Sequence, residues 1–218
     1  MTSPALQAKI CGLSTPDGVE AAVAGGAAFL GFVFFEKSPR NVSVEQAARL
    51  AEPVRGRSPT RIVAVTVDAT DDELDRICRG LNPDLIQLHG REPPERAHEV
   101  QARTGAAVIK AIPVSGSGDI EAARSYESAV SHLLFDARPP PGAALPGGVG
   151  ARFDWTLLKG LHFSRPWFLA GGLDPWNVSE AAALSGARLA DVSSGVERGP
   201  GLKDPALITA FMNAVRRT

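Results

Sequence analysis

The chain alternates short apolar segments with amphipathic ones, eight times in succession. The predicted strands are Ala8–Cys11, Phe29–Phe34, Ile62–Val67, Leu85–Leu88, Val108–Ile112, His132–Phe135, Trp167–Ala170 and Ala190–Val192. The predicted helices begin near Thr15, Ser43, Asp71, Pro93, Gly118, Asp154, Pro175 and Asp204. Strict alternation of this kind is typical of parallel strands that are joined by right-handed helical crossovers.

Eight repeats favour a closed (β/α)8 barrel, although an open doubly wound sheet can accommodate the same alternation. The length of 218 residues suits one barrel domain, and we expect residues 1–218 to form it. Residues 137–152 are too rich in Pro and Gly for a helix and too many for an ordinary turn. Long loops of this kind are usually functional or disordered, and in a barrel this one would cover the mouth as a lid.

Composition argues against several classes of function. The net charge of −1 lacks the basic excess of a nucleic-acid-binding domain. There is no run of about 18 apolar residues, so we expect no membrane span, and we expect no secretory signal. Cys11 and Cys78 have different sequence contexts and no His at zinc-ligand spacing. Free thiols in a reducing cytosol fit this pattern better than a disulfide, so a cytoplasmic protein is expected.

A barrel would bring one thiol and one carboxyl to the same mouth, where the carboxyl ends of its strands meet. Cys11 ends the first predicted strand, and Asp136 directly follows the sixth. Each also has a purely structural interpretation. Cys11 could be a small buried apolar residue, and Asp136 could begin a turn. Position alone does not decide between these interpretations.

Other polar side chains fall at or near the same strand ends. Lys9 is expected to be structural, paired with Asp191 on the eighth strand, which neighbours the first in a closed barrel. Arg40 could hold a carboxylate or phosphate with its planar guanidinium, or it could be a solvated surface residue. Gln87 and His89 share one face of the fourth strand. His89 could be a catalytic residue, or it could equally be a core residue that supports the residues of the site.

Two glycine-rich turns follow the seventh and eighth predicted strands. They read Ala170-Gly171-Gly172-Leu173 and Ser193-Ser194-Gly195-Val196-Glu197. Small residues there expose backbone N–H groups, and helix N-termini add a positive dipole. In barrels these two turns frequently bind phosphate, although ordinary strand-to-helix turns remain the alternative. The predicted phosphate-binding residues are Gly171, Gly172, Ser194 and Gly195.

Taken together, these segments resemble the phosphoribosylanthranilate isomerase family. The matching motifs are Lys9-Ile10-Cys11-Gly12-Leu13, Gly31-Phe32-Val33-Phe34, Ser38-Pro39-Arg40, Gln87-Leu88-His89-Gly90, Asp136, Gly147-Gly148, Phe153-Asp154-Trp155, Ala170-Gly171-Gly172-Leu173, Asn177-Val178, Asp191-Val192-Ser193-Ser194-Gly195-Val196-Glu197, Gly201 and Lys203-Asp204. They run in the family's order from residue 9 to residue 204. One departure is Val149, which stands in the lid motif where the family often has a hydroxyl residue.

The resemblance implies a (β/α)8 barrel and an Amadori rearrangement in tryptophan biosynthesis, with no cofactor and no metal. The substrate would be N-(5-phosphoribosyl)anthranilate and the product 1-(2-carboxyphenylamino)-1-deoxyribulose 5-phosphate. By motif, Cys11 is the general base, Asp136 is the general acid, and Arg40 holds the anthranilate carboxylate. The remaining positions assigned to substrate binding are Gln87, His89 and Asp191. A thiol base is expected to need a pKa below its usual value.

Other functions predict different residues. The histidine-pathway isomerase and its dual-substrate relative perform the same chemistry, but they resemble a pattern with Asp where this chain has Cys11. A metal-dependent pentose-phosphate epimerase would need several His and Asp ligands at the mouth, where only His89 qualifies. A barrel retained as a scaffold would be expected to lose Cys11, Asp136 or Arg40. The expected partner is a phosphorylated small molecule, and either a monomer or a homodimer fits.

Overall fold

Eight parallel strands close into a barrel in sequential order, in a computed structural model that describes residues 5–140, 142, 147, 148 and 150–218. The strands are β1 Gln7–Cys11, β2 Phe29–Phe34, β3 Arg61–Thr66, β4 Leu85–Leu88, β5 Ala107–Val114, β6 His132–Ala137, β7 Trp167–Leu169 and β8 Leu189–Val192. Strand β8 pairs with β1, which an open sheet would not allow. The predicted barrel is therefore confirmed.

Seven α-helices pack around the barrel in the described part of the chain. They are α1 Pro16–Ala24, α2 Val44–Ala51, α3 Asp71–Leu81, α4 Pro94–Thr104, α5 Ser117–Ala122, α6 Val178–Ser185 and α7 Pro205–Arg216. Side-chain caps explain where several begin: Ser43 accepts from the Gln46 N–H at 3.1 Å, and Thr70 forms a capping box with Glu73. None of these helices is both long and apolar enough to cross a membrane.

The prediction of a helix that begins near Asp154 is wrong. Residues Trp155–Leu158 form only one 3₁₀ turn, with Asp154 as its cap. Gly160 follows two residues later with φ of 72°, a left-handed conformation that ends any helix at this point. The helix expected near Pro175 exists, but it begins at Val178.

A short antiparallel hairpin between β8 and α7 was not predicted. Its strands are β9 Glu197–Gly199 and β10 Leu202–Lys203. Gly201, in its turn, lies so close to the loop after β2 that an added Cβ would stand 2.3 Å from the Pro39 carbonyl oxygen. The hairpin therefore packs against that loop and brings Glu197 and Lys203 beside the barrel mouth.

The barrel interior is filled by side chains, as its small diameter requires. Phe29 and Phe168 pack edge to face with ring centroids 5.0 Å apart, and His132 lies against both rings. Burial lowers the pKa of His132 to about 4, and the Arg61 cation adds to this shift. Because His132 begins β6, this neutral imidazole lies at the end of the barrel away from the mouth.

Candidate active site

The carboxyl ends of the strands surround a pocket of about 770 Å³, including its open mouth. The predicted site residues that line it are Cys11, Arg40, His89, Asp136, Gly171, Gly172 and Asp191. Gln87 is fully buried behind His89 and does not line the pocket. Ser194 and Gly195 lie in the turn next to the Gly171–Gly172 turn rather than in the lining.

Cys11 lies beside a buried ion pair at the end of β1. Lys9 Nζ is 2.8 Å from Asp191 Oδ1, which confirms the predicted partnership between β1 and β8. Burial raises the pKa of the Cys11 thiol, and Asp191 adds to the rise, while the cations Lys9 and Lys203 oppose it. The pKa of Cys11 therefore moves opposite to the lowering that would help a thiol base. Burial by itself would lower the pKa of Lys9, but Asp191 and Cys11 together leave it raised.

Asp136 lies at the head of a chain of three polar side chains. Its Oδ1 accepts from the Ala137 N–H at 2.9 Å, and its Oδ2 is 3.3 Å from His89 Nε2. The other ring nitrogen, His89 Nδ1, is 2.9 Å from Gln87 Nε2. Gly147, in the lid, covers the contact: a Cβ there would lie 2.6 Å from both Asp136 Oδ2 and His89 Nε2.

The loop that follows His89 is fixed by a buried carboxylate that the sequence reasoning missed. Glu92 accepts from the N–H of Gly90 at 2.9 Å and from the N–H of Asp68 at 2.8 Å. Lys110, on β5, forms a buried ion pair with Glu92 at 2.7 Å and also donates to the Gly90 carbonyl. These bonds join the loops after β3 and β4 and hold the backbone next to His89.

Arg40 is clamped by a second carboxylate, from the hairpin. Its Nε donates to Glu197 Oε1 at 2.7 Å and its Nη2 to Oε2 at 2.9 Å, while Nη2 also donates to the Gly148 carbonyl. The hydrogen bond from Arg40 and the charge of Lys203 leave the pKa of Glu197 lowered, although burial alone would raise it. The planar guanidinium is therefore held in one orientation at the pocket wall.

Lys203 extends this network toward β1. Its Nζ donates to Glu197 at 2.5 Å and to the Ser193 carbonyl at 3.0 Å, and the Ser193 hydroxyl donates to the Cys11 carbonyl at 3.2 Å. Burial lowers the pKa of Lys203, and Glu197 opposes that effect. The sequence motifs include Glu197 and Lys203 but indicate no role for them, because Glu197 lies 157 positions from its partner Arg40 and no pattern signals their contact.

The two glycine-rich turns touch each other. Gly171 and Gly172 have φ of 84° and 65°, which favour glycine, and a Cβ on Gly195 would lie 1.9 Å from the Leu173 carbonyl oxygen. Arg152 donates to the Gly172 carbonyl at 3.1 Å and so brings an unpredicted cation to these turns. Val149 lies outside the described residues. No group of three or more His, Cys, Asp or Glu in the described ranges is placed to hold a metal ion.

Comparison with known proteins decides the family. The sequence model described as N-(5'phosphoribosyl)anthranilate (PRA) isomerase matches residues 8–214. The chain belongs to the N-(5'-phosphoribosyl)anthranilate isomerase family. A family member from Caulobacter sp. (strain K31) is 65% identical over 97% of this chain and 99% of its own length. One from Caulobacter vibrioides is 63% identical over 100% of this chain and 99% of its own.

Solved isomerases of the family have the same fold. The phosphoribosyl anthranilate isomerase from Thermotoga maritima is 32% identical, with a TM-score of 0.86 over 98% of this chain and all of that one. A structure described as phosphoribosyl anthranilate isomerase in complex with reduced 1-(o-carboxyphenylamino)-1-deoxyribulose 5-phosphate superposes with a TM-score of 0.83 at 32% identity, with the same coverage. The family resemblance seen in the sequence motifs is thus confirmed.

Proposed function

We propose that this isomerase converts N-(5-phosphoribosyl)anthranilate to 1-(2-carboxyphenylamino)-1-deoxyribulose 5-phosphate, with Asp136 as the general acid and Cys11 as the general base. The observation that carries the proposal is one pocket lined by Cys11, Asp136, Arg40 and the Gly171–Gly172 turn. A proton donor, a proton acceptor, a fixed cation and a backbone anion site are the groups that this rearrangement requires.

In the first step Asp136 gives its proton to the ring oxygen of the sugar. The C1′–O bond breaks, its electron pair goes to that oxygen, and a Schiff base forms between C1′ and the anthranilate nitrogen. The Ala137 N–H and His89 then stabilise the carboxylate that remains on Asp136.

In the second step the Cys11 thiolate removes the C2′ proton, which the Schiff base makes acidic. The electron pair of the C–H bond moves toward C1′ and the nitrogen, which gives an enolamine, and tautomerisation then yields the C2′ ketone. Since burial raises the pKa of Cys11, the thiol must lose its proton before this step, and Lys9 and Lys203 are the cations that favour the thiolate.

The remaining groups bind the substrate. The phosphate is assigned to the turns that contain Gly171, Gly172, Ser194 and Gly195, and the anthranilate carboxylate to Arg40. Glu197 already accepts from Nε and Nη2, and the Gly148 carbonyl accepts from the second N–H of Nη2, so the carboxylate would take the donors of Nη1. Asp191 lines the pocket, but its ion pair with Lys9 makes its main contribution the support of β1 and Cys11.

Two variants test these assignments. Cys11→Ala and Asp136→Asn should each lower kcat by at least about 100-fold with little change in KM, since a placed acid or base contributes roughly 10²–10⁴. Cys78→Ala, which removes the other thiol, in α3, is the matched control and should keep full activity.

Near-normal turnover by purified Cys11→Ala or Asp136→Asn would refute the role of that residue. The reaction itself is tested by rescue of a tryptophan auxotroph that lacks this isomerase. Soluble expression without rescue, and without turnover of the purified protein, would contradict the proposed function.

A further inference from the structure

The contact between Asp136 and His89 has no role in the acid–base scheme beyond a single hydrogen bond. The two side chains are largely buried, with 11% and 16% of their surface exposed, and Gly147 covers them from the lid. Asp136 must nevertheless begin every turnover with a proton. An ordinary aspartic acid has lost its proton at neutral pH, so a carboxyl in this position needs a source of protons.

An imidazole can supply the proton that a lone carboxyl has lost at neutral pH. Histidine is the side chain that ordinarily gains and loses a proton near neutral pH. When an imidazole and a carboxylate are in hydrogen-bond contact, one proton belongs to the pair rather than to either group. The distance of 3.3 Å from His89 Nε2 to Asp136 Oδ2 permits that exchange along one hydrogen bond.

Gln87 is suited to support the imidazole in both of its charge states. Its amide carries a donor and an acceptor, so it can donate to a bare Nδ1 or, once turned about its last bond, accept from a protonated one. Gln87 Nε2 lies 2.9 Å from His89 Nδ1, whereas the buried Oε1 has no hydrogen-bond partner among the described residues. No other bond to Oε1 therefore opposes the turn of the amide.

We propose that the proton donor of the reaction is the His89–Asp136 pair, which shares one proton, with His89 and Gln87 as positioning residues that act through Asp136. This inference rests on the proposed function, because it takes Asp136 as the acid. Before the step the pair is an imidazolium beside a carboxylate. Transfer of the Nε2 proton to Oδ2 turns it into a neutral imidazole, which keeps its proton on Nδ1, beside a carboxylic acid. In the step the proton leaves Oδ2 for the ring oxygen, and the electron pair of the C1′–O bond goes to that oxygen.

After the step a neutral imidazole faces a carboxylate. Its one proton stays on Nδ1 and is donated to the Oε1 of the turned Gln87 amide, because the proton that left was the one shared between Nε2 and Oδ2. The 2.9 Å contact from Gln87 Nε2 to Nδ1 in the structure fits the ring before Nδ1 takes up a proton, with its one proton on Nε2 toward Asp136 Oδ2. Solvent returns the missing proton before the next turnover. A methionine at 87 could serve neither charge state, and a glutamate would favour only the imidazolium.

Neighbouring residues hold His89 in place beside Asp136. Glu92 and its buried partner Lys110 fix the backbone at Gly90, directly after His89. The other ionisable side chains that line the pocket, among the described residues, are Cys11, Arg40 and Asp191. Arg40 and Asp191 are already paired, with Glu197 and Lys9, so they leave the His89–Asp136 proton to the pair.

Steady-state kinetics give the first test. His89→Gln keeps an N–H donor of similar reach, but its amide cannot act as an acid near neutral pH, so kcat should fall about 10- to 100-fold while KM stays within about threefold. Gln87→Met should lower kcat about tenfold with the same KM. His98→Gln, on the exposed face of α4, is the control and should behave as wild type. A kcat of His89→Gln within twofold of wild type would overturn the proposal.

Nuclear magnetic resonance gives a second test that does not depend on turnover. In protein with ¹⁵N-labelled histidines at pH 7, the His89 signals are those that disappear in His89→Gln. They should differ between wild type and Asp136→Asn, because an amide in place of the carboxyl cannot share a proton with the ring, while the His132 signals stay unchanged and report an intact fold. Identical His89 signals in both proteins would overturn the shared proton.

The outcomes separate this inference from the proposed function. Normal turnover by Asp136→Asn would refute Asp136 as the acid, and both proposals would fail. An inactive Asp136→Asn beside a fully active His89→Gln would leave the function standing and refute the pair.

Discussion

Replacement of Asp191 by asparagine should destabilise the whole barrel. The variant keeps the size of the side chain but removes the charge that lies 2.8 Å from Lys9 Nζ. At that distance Coulomb's law gives an attraction of about 6 kcal/mol for an effective dielectric constant of about 20. Without it, Lys9 is a fully buried cation with no counter-charge. The expected loss in the free energy of unfolding is about 3–5 kcal/mol.

Such a loss is a large fraction of the roughly 5–15 kcal/mol by which proteins are stable. Urea unfolding followed by circular dichroism measures it as a lower midpoint with an unchanged slope. The matched control is Asp75→Asn, which breaks an exposed pair with Arg103 of similar N–O distance, 2.6 Å. Its midpoint should hardly move, because water screens an exposed pair.

A double variant separates charge from packing. Lys9→Met with Asp191→Leu removes both charges and should recover most of the stability that Asp191→Asn loses, since apolar replacements of a buried pair are often neutral or stabilising. The reasoning is refuted if Asp191→Asn and Asp75→Asn shift the midpoint equally. It is also refuted if the double variant is less stable than Asp191→Asn.

Three further outcomes follow from the site and the core. Glu197→Gln frees the Arg40 guanidinium and should raise KM about tenfold with a smaller effect on kcat; an unchanged KM in steady-state assays would contradict the clamp. Because the pKa of Cys11 is raised, its thiolate fraction should increase from pH 7 to pH 9, and the rate of alkylation of Cys11 by iodoacetamide measures this in Cys78→Ala, where Cys11 is the one cysteine left; a rate that stays flat would contradict the raised pKa. The pKa of His132 falls from 6.5 to about 4 on folding, so the unfolded chain binds the proton first as the pH drops. Between pH 7 and pH 5, the free energy of unfolding measured with urea should therefore fall by about 1–2 kcal/mol less in His132→Phe than in wild type, after allowance for solvent screening. Equal falls in the two proteins would refute this.

The barrel and the position of its mouth could be predicted from the sequence because both follow from the number of strands. Eight alternations predict closure, closure makes the first and eighth strands neighbours, and the Lys9–Asp191 pair follows from that adjacency. The same logic put Cys11 and Asp136 at one mouth. Burial could not be derived in this way, and it is burial that moves the pKa of Cys11 opposite to the expectation.

Contacts between loops could not be predicted from the alternation of apolar and polar residues. The hairpin β9–β10 has strands of three and two residues, too short to show an alternation of apolar and polar positions. Arg40 and Glu197 both lie in connecting segments, where neither a helical nor a strand period relates their positions. The failed helix after Asp154 shows the same limit, since its cap residue is correct but only one turn follows.

The clamp on Arg40 joins the two ends of the polypeptide, and it is not alone in doing so. Arg40, Lys9 and His89 come from the segment that ends with α4, whereas their partners Glu197, Asp191 and Asp136 all come after it. A division of the chain after α4 would leave every one of these pairs with one member in each fragment. Neither half-barrel is thus an electrostatically complete unit. Exchange of one half for that of a distant barrel would leave unmatched charges at the mouth, unless the incoming half supplied all three partners.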